Sequence, residues 1–247
     1  MTRSSARVLL VGVGGLGCPA ALVLARAGVG LLGLCDDDLV DRSNLHRQIL
    51  FGDADVGTPK LDAAARALRS APQGSTPPEV RLHRTRLLPD NALPLVRDYD
   101  LVLEGADNFA TKFLAADACA LARVPVVHAS AVRWIGTALA VGAGGGPCYR
   151  CLFEDVLPEG EAPSCADAGV MGPVVGVVAA AQADLALSIL DGRPVSGELV
   201  TYDGRSDVLR RRTIARRADC PLCGLGAPAS RIERIEPERY VSPACAG

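Results

Sequence analysis

The stretch that most constrains this chain is the turn Gly12-Val13-Gly14-Gly15-Leu16-Gly17. The apolar run Arg7-Val8-Leu9-Leu10-Val11 before it reads as a strand buried in a parallel sheet. The segment after it, Cys18 to Ala27, is rich in alanine and leucine, and Gly28 ends it as a helix. Strand, glycine turn and helix in that order point backbone N–H groups and a helix N-terminus at a phosphate. Gly12, Gly14, Gly15 and Gly17 suit such a turn, because a Cβ would block close approach or a positive φ. Taken alone, the turn fits nicotinamide or flavin binding as readily as any other nucleotide.

The residues beyond the first helix narrow the choice. A second apolar run, Val29 to Cys35, ends in Asp36-Asp37-Asp38, and an acid 19 residues after Gly17 suits the hydroxyls of a nucleotide ribose. Asn44, Arg47, Gln48 and Lys60 then add two amides and two cations just beyond that carboxylate. Hydride transfer has no use for so much positive charge, whereas a triphosphate does. An NAD(P)-dependent oxidoreductase is thereby disfavoured.

Further along, Thr58 to Ser70 predicts an amphipathic helix, with Pro59 in its opening turn. Glu79 to Arg84 alternates and predicts a strand towards the sheet edge, with His83 on its surface. Tyr99 to Ala106 predicts a buried strand ending at Asp107-Asn108, where open α/β sheets bind ligands. Asp107 there suits either a cap for the helix predicted from Phe109 to Ala122 or a magnesium ligand, and the triphosphate residues favour the ligand. Val124 to Ser130 and Gly136 to Val141 predict two more strands, the second antiparallel, with His128 a core histidine. A long helix over Gly169 to Asp191 comes next, and then a hairpin over Gly197 to Tyr202 and Asp207 to Ile214. The tail from Gly224 is expected to be partly disordered or docked on a neighbour.

Nine cysteines in a chain expected to be cytoplasmic do not suggest a disulfide framework. Four of them form the pairs Cys148/Cys151 and Cys220/Cys223, about 68 residues apart, and two Cys-x-x-Cys pairs complete a tetrahedral zinc site. The zinc would staple two remote segments. Cys18, Cys35 and Cys119 fall in core-like elements, but Cys165 lies in a polar Pro/Gly loop where a thiol is exposed and can react. A formal net charge of −2 gives no argument for nucleic acid or membrane. The apolar run Val170 to Ala181 is too short to span a bilayer, and residues 1–6 lack the sections of a signal peptide. The expected fold is α/β, a Rossmann-like doubly wound, mostly parallel sheet continued by antiparallel strands.

The residues Gly12 to Gly17, Asp36 with Asp38, Ser43 to Gln48, Pro59-Lys60 and Asp107-Asn108 together closely resemble the ThiF/MoeB/HesA family of adenylyltransferases. The resemblance extends to about residue 223. It implies a nucleotide-binding half (1–130), a carrier-binding and zinc half (131–223) and a separate tail (224–247). It also implies ATP-dependent adenylation of the C-terminal carboxylate of a small ubiquitin-like sulfur carrier ending Gly-Gly. Arg47 and Lys60 would meet the β- and γ-phosphates, Asn44 and Gln48 the phosphates and reacting centre, Asp36 the ribose, and Asp107 the Mg²⁺. A structural zinc on the two cysteine pairs, a homodimer and a cysteine desulfurase or rhodanese-type sulfur donor are implied as well. In the thiazole branch of that family a cysteine placed like Cys165 takes part in sulfur transfer. The chain departs from the family in one respect: no Arg-Tyr-x-Arg-Gln helix precedes the glycine turn. A truncated start, a poor substitute in Arg3 or Arg7, and weak adenylation are the alternatives, and the last would make the chain a carrier-binding pseudo-enzyme. The pathway, whether thiamine, molybdopterin, cysteine or a specialised metabolite, stays open.

Overall fold

Alternate residues of the first strand face opposite sides of a sheet, and both sides are apolar. Val8 and Leu10 join one hydrophobic cluster and Leu9 and Val11 another, so helices must cover both faces. The computed structural model, which describes residues 2–70, 76–156, 168–226 and 231–241, has that architecture. Its strands are β1 (Arg7–Val11), β2 (Leu31–Cys35), β3 (Glu79–His83), β4 (Leu101–Glu104), β5 (Val126–Val132), β6 (Ile135–Val141), β7 (Glu198–Asp203) and β8 (Val208–Thr213). They form one sheet in the order β3-β2-β1-β4-β5-β6-β7-β8. The pairs from β3 through to β5 are parallel, and those from β5 to β8 are antiparallel. The expected sheet is therefore present, and β3 is at its edge.

Helices α1 (Gly17–Arg26) and α2 (Lys60–Ser70) pack on one face, and α3 (Ala92–Arg97) and α4 (Phe109–Ala122) on the other. The short α5 (Tyr149–Leu152) lies beside α4, while α6 (Gly172–Leu190) crosses β5, β6 and β7 next to α1. With 19 residues, α6 is longer than the 12-residue apolar run suggests, and by length and composition it could cross a bilayer. Its Val174, Val178, Ala179 and Leu185 are buried against the sheet, the environment of a core helix.

Two further expectations are refined. His83 is half-buried rather than superficial, with a ring nitrogen 2.5 Å from the Tyr99 hydroxyl, because α3 brings Tyr99 over the edge strand. The described part of the tail docks on its own chain: Ile232 N–H donates to Pro221 O at 2.9 Å, and the buried Tyr240 hydroxyl donates to Asp117 Oδ2 at 2.9 Å. Burial of Ile232 and Tyr240 explains why a segment rich in small residues and proline still packs.

The glycine turn leaves no room for a side chain at Gly17. A Cβ on Gly17 would lie 2.1 Å from the carbonyl oxygen of Gly12, which has φ +88°. Gly17→Ala must push β1 and α1 apart, at a cost of roughly 1–3 kcal/mol. That lowers the melting temperature by roughly 2–4 °C per kcal/mol in a domain of this size. A thermal melt indistinguishable from wild type would contradict the close packing.

Candidate nucleotide site and cysteine cluster

The carboxyl ends of β1, β2 and β4 converge in one crevice. Asp36, at the end of β2, accepts Val13 N–H at 2.7 Å with one carboxylate oxygen and Asp38 N–H at 2.9 Å with the other. It thereby ties the glycine turn to the next strand. Asp38 then accepts from Lys60 Nζ at 2.7 Å, and Asp36 lies 3.9 Å from the same amine. Lys60, the first residue of α2, is buried, so its ammonium needs these partners. Binding of a triphosphate by Lys60 therefore means exchanging one anion for another.

Arg47 and Gln48 belong to the turn after a short 3₁₀ segment, Arg42–Asn44, whose backbone Asn44 O accepts from both of their N–H groups at 3.1 Å. The stem of Arg47 crosses Gly15, where a Cβ would sit 3.2 Å from it, and its Nη1 is 3.3 Å from His46 Nε2. Gln48 is buried beside Gly14, and its Oε1 has no hydrogen-bond partner among the described residues. An unpaired buried amide oxygen is costly. The orphan atom is an acceptor, so the partner it lacks is an O–H or N–H donor and not a phosphate oxygen.

Across the crevice, Asn108 caps α4 by accepting Thr111 N–H at 2.8 Å. The capping role weighed for Asp107 thus falls to its neighbour. Asp107 is exposed and takes part in no hydrogen bond or ion pair among the described residues, and its charge acts on Arg86. Such a carboxylate would fit a magnesium ion, which is held by one or two carboxylates together with substrate phosphates. Gly12, Gly14, Gly15, Asp36, Asp38, Asn44, Arg47, Gln48, Asp107 and Asn108 lie in the segments that follow β1, β2 and β4, and Gly17 and Lys60 open α1 and α2.

Sequence reasoning missed two groups here. Arg86, after β3, donates to both oxygens of Asp37 at 2.9 and 3.1 Å and approaches Asp38 at 3.7 Å. Glu104 and Lys112 form a buried ion pair at the end of β4. Burial pushes the Glu104 carboxyl up, but Lys112 and His128 outweigh it and hold the group below its ordinary range. The available signal was a charged residue on the apolar run of a strand and another amid the apolar residues of a helix.

His128 is the expected core histidine, its Nδ1 3.1 Å from Glu104 Oε2. Burial pushes the Cys18 and Cys35 thiols up to about 12 and raises that of Cys119 as well, which makes all three unreactive. Cys165 lies outside the described residues.

The two cysteine pairs meet. Cys148 Sγ is 3.9 Å from Cys151 Sγ and 3.6 Å from Cys220 Sγ, and Cys151 Sγ is 3.3 Å from Cys223 Sγ. A zinc ion about 2.3 Å from four thiolates sets their separations near ~3.8 Å, so the set fits a tetrahedral site. Arg217 N–H donates to Cys151 Sγ at 3.4 Å. Arg150, between the first two cysteines, forms a buried bidentate pair with Asp117 of α4 at 2.8 and 2.9 Å. The cluster thus joins the start of α5 to the turn at 220–223, and Arg150 ties α5 to α4.

The ThiF family model matches residues 2–222. Among curated proteins, the mouse (Mus musculus) "Adenylyltransferase and sulfurtransferase MOCS3" is 44% identical over 236 residues, 94% of this chain and 51% of that protein. "Adenylyltransferase and sulfurtransferase uba4" of Aspergillus fumigatus is 43% identical over 238 residues, 90% of this chain and 48% of that protein. The chain spans about half the length of these curated relatives. Among solved structures, E. coli MccB with MccA-N7isoASN has a TM-score of 0.78 at 24% identity, covering 90% of this chain and 68% of that one. E. coli MccB with ATP gives 0.76 at 23%, with the same coverage of both chains. At that identity the likeness concerns the fold.

Elemental analysis of the purified protein is expected to give about one zinc per chain, as a closed four-thiolate site requires. Removing the metal with a chelator should lower the melting temperature, because binding energy at such a site is folding energy. A metal-free protein that melts where the native one does would exclude a structural role for Cys148, Cys151, Cys220 and Cys223.

Proposed function

The chain belongs to the ThiF family, and from that premise we propose that it adenylates the C-terminal carboxylate of a small ubiquitin-like sulfur carrier ending Gly-Gly. The observation that carries this reading is the meeting of Lys60, Arg47 and Gln48 with the glycine turn, opposite an Asp107 that makes no hydrogen bond or ion pair among the described residues. Curated relatives named as adenylyltransferases and sulfurtransferases, 44% and 43% identical, support it.

The chemistry rests on charge. A carboxylate is a poor acyl donor because oxide is its leaving group. Attack of a carboxylate oxygen on the α-phosphorus of ATP forms a C–O–P anhydride and breaks the bond to the β-phosphate oxygen, releasing pyrophosphate. The attacking carboxylate is already ionised at neutral pH, so no general base is needed. The protein supplies alignment and electrostatic stabilisation. The backbone N–H groups of the glycine turn and the N-terminus of α1 face the phosphates. Lys60 and Arg47 neutralise the departing pyrophosphate, Gln48 and Asn44 donate amide hydrogens to the phosphates, and Asp36 meets the ribose. Asp107 would hold Mg²⁺, which screens phosphate charge when bound. The activated carrier then accepts sulfur from a donor such as a cysteine desulfurase or a rhodanese-type protein. Action as a homodimer belongs to the same reading.

One observation favours the second reading, a carrier-binding pseudo-enzyme. Arg3 pairs with Asp191 at 2.7 Å and Arg7 with Asp100 at 3.2 Å, so both arginines before and at the start of β1 are engaged within the chain and poorly placed to act on a nucleotide. Pyrophosphate exchange in the presence of a carrier separates the two readings.

Lys60→Ala and Arg47→Ala should each lower ATP–pyrophosphate exchange by about 10²-fold or more, the loss typical of a preorganised electrostatic donor. Exchange at the wild-type rate in both would overturn the assignment.

Cys165 gives a separate test, because carboxylate attack on ATP uses no thiol. Cys165→Ser should retain exchange and lose thiocarboxylate formation, where a thiol can carry an acyl or persulfide group. Loss of exchange would place it in the nucleotide site, and retention of both activities would make it incidental.

A further inference from the structure

The turn that carries Asp107 is held by charged groups that the adenylation chemistry does not use. The Glu104 side chain, the last of β4, is 0% exposed, and that of Lys112, on α4, is 6% exposed. Lys112 Nζ donates to both Glu104 carboxylate oxygens, at 3.2 and 3.0 Å, and to Ala129 O of β5 at 2.6 Å. Glu104 Oε1 also accepts Ala106 N–H at 2.6 Å, one residue before Asp107. From α6, Gln182 Nε2 donates to Glu104 O and Val127 O, both at 2.9 Å. Four elements therefore converge on the start of the turn.

Stability alone is a poor account of such a pair, because desolvating two charges is expensive and apolar replacements of similar volume are often neutral or better. Geometry accounts for it. Asp107 makes no hydrogen bond or ion pair of its own among the described residues, so its direction is set by its neighbours in the chain. Ala106 is clamped by Glu104 on one side, and Asn108 is clamped on the other by its cap on Thr111 N–H. We propose that Glu104 and Lys112 are positioning residues that fix the Asp107 carboxylate towards the divalent cation of a bound nucleotide. The proposal rests on the reading of Asp107 as the ligand of that cation. Magnesium demands near-ideal octahedral geometry, and a carboxylate already held in one direction meets that demand at less entropic cost.

The test is ATP binding by calorimetry, with and without Mg²⁺, on the full chain. Wild type, Asp107→Ala, Lys112→Met and the charge-free pair Glu104→Gln/Lys112→Met are compared. Asp107→Ala should lose the strengthening of ATP binding by Mg²⁺. Lys112→Met and the double variant should lose about 10-fold or more of it, as outer-shell partners of a metal ligand do, while binding of metal-free ATP stays within about twofold. Lys112→Arg should recover part of the effect, because a guanidinium can still donate to Glu104. Wild-type strengthening in the double variant, alongside its loss in Asp107→Ala, would overturn the proposal and spare the reading of Asp107. Wild-type strengthening in Asp107→Ala would overturn both. Failure of both Lys112→Met and the double variant to fold would assign the pair to the fold and not to Asp107, and would also overturn the proposal.

Discussion

The carboxylate of Asp36 is the interaction on which the crevice depends. One oxygen holds the glycine turn through Val13 N–H, and the other holds Asp38 N–H, which in turn presents Asp38 to Lys60. Three separate segments, the turn after β1, the end of β2 and the start of α2, are thus fixed relative to one another by Asp36 and Asp38 acting in series. Hydrogen bonds to a carboxylate are among the stronger ones available to a backbone. The close approach of Gly17 to Gly12 O leaves no slack in the turn that Asp36 restrains.

The same economy of placement recurs elsewhere. Buried charges occur at joints between elements: Glu104 with Lys112 where β4, α4 and β5 meet, and Asp117 with Arg150 where α4 meets the cysteine cluster and the C-terminal segment. Each is hydrogen-bonded on several sides, as a buried charge must be. Arg150 also lies over the Phe113 ring at 4.7 Å, so α4 contacts it through both charge and an aromatic face. The cysteine cluster and the nucleotide crevice therefore share α4 as a common wall. The crevice lies at its N-terminal cap and the cluster beside its third turn.

The sheet and its helices were largely legible in the chain, because periodicity and punctuation are local. An unbroken run of four apolar residues after Arg7 reads as β1, Asp107-Asn108 before an alanine-rich segment marks the start of α4, and Gly28 marks the end of α1. The edge position of β3 followed from its alternation of polar and apolar residues. Less legible were the choice of Asn108 over Asp107 as cap and the docking of Tyr240. Adjacent Asp and Asn have equal claims as a cap, and the backbone path decides between them. Tyr240 finds its partner 123 residues away, a distance at which no pattern reports contact.

By itself the sequence determined the features set by short-range sterics and ligand chemistry. Only glycine fits the turn at Gly12 and Gly17, and two Cys-x-x-Cys pairs form a metal-binding set wherever the chain brings them together. The tertiary structure alone decided which charge meets which. Lys60 is held by Asp38, Arg86 by Asp37, and Glu104 is enclosed with Lys112 and His128. Pairing of charges is a property of distance and burial in three dimensions, and residues distant in the chain acquire both only when the sheet has closed around them.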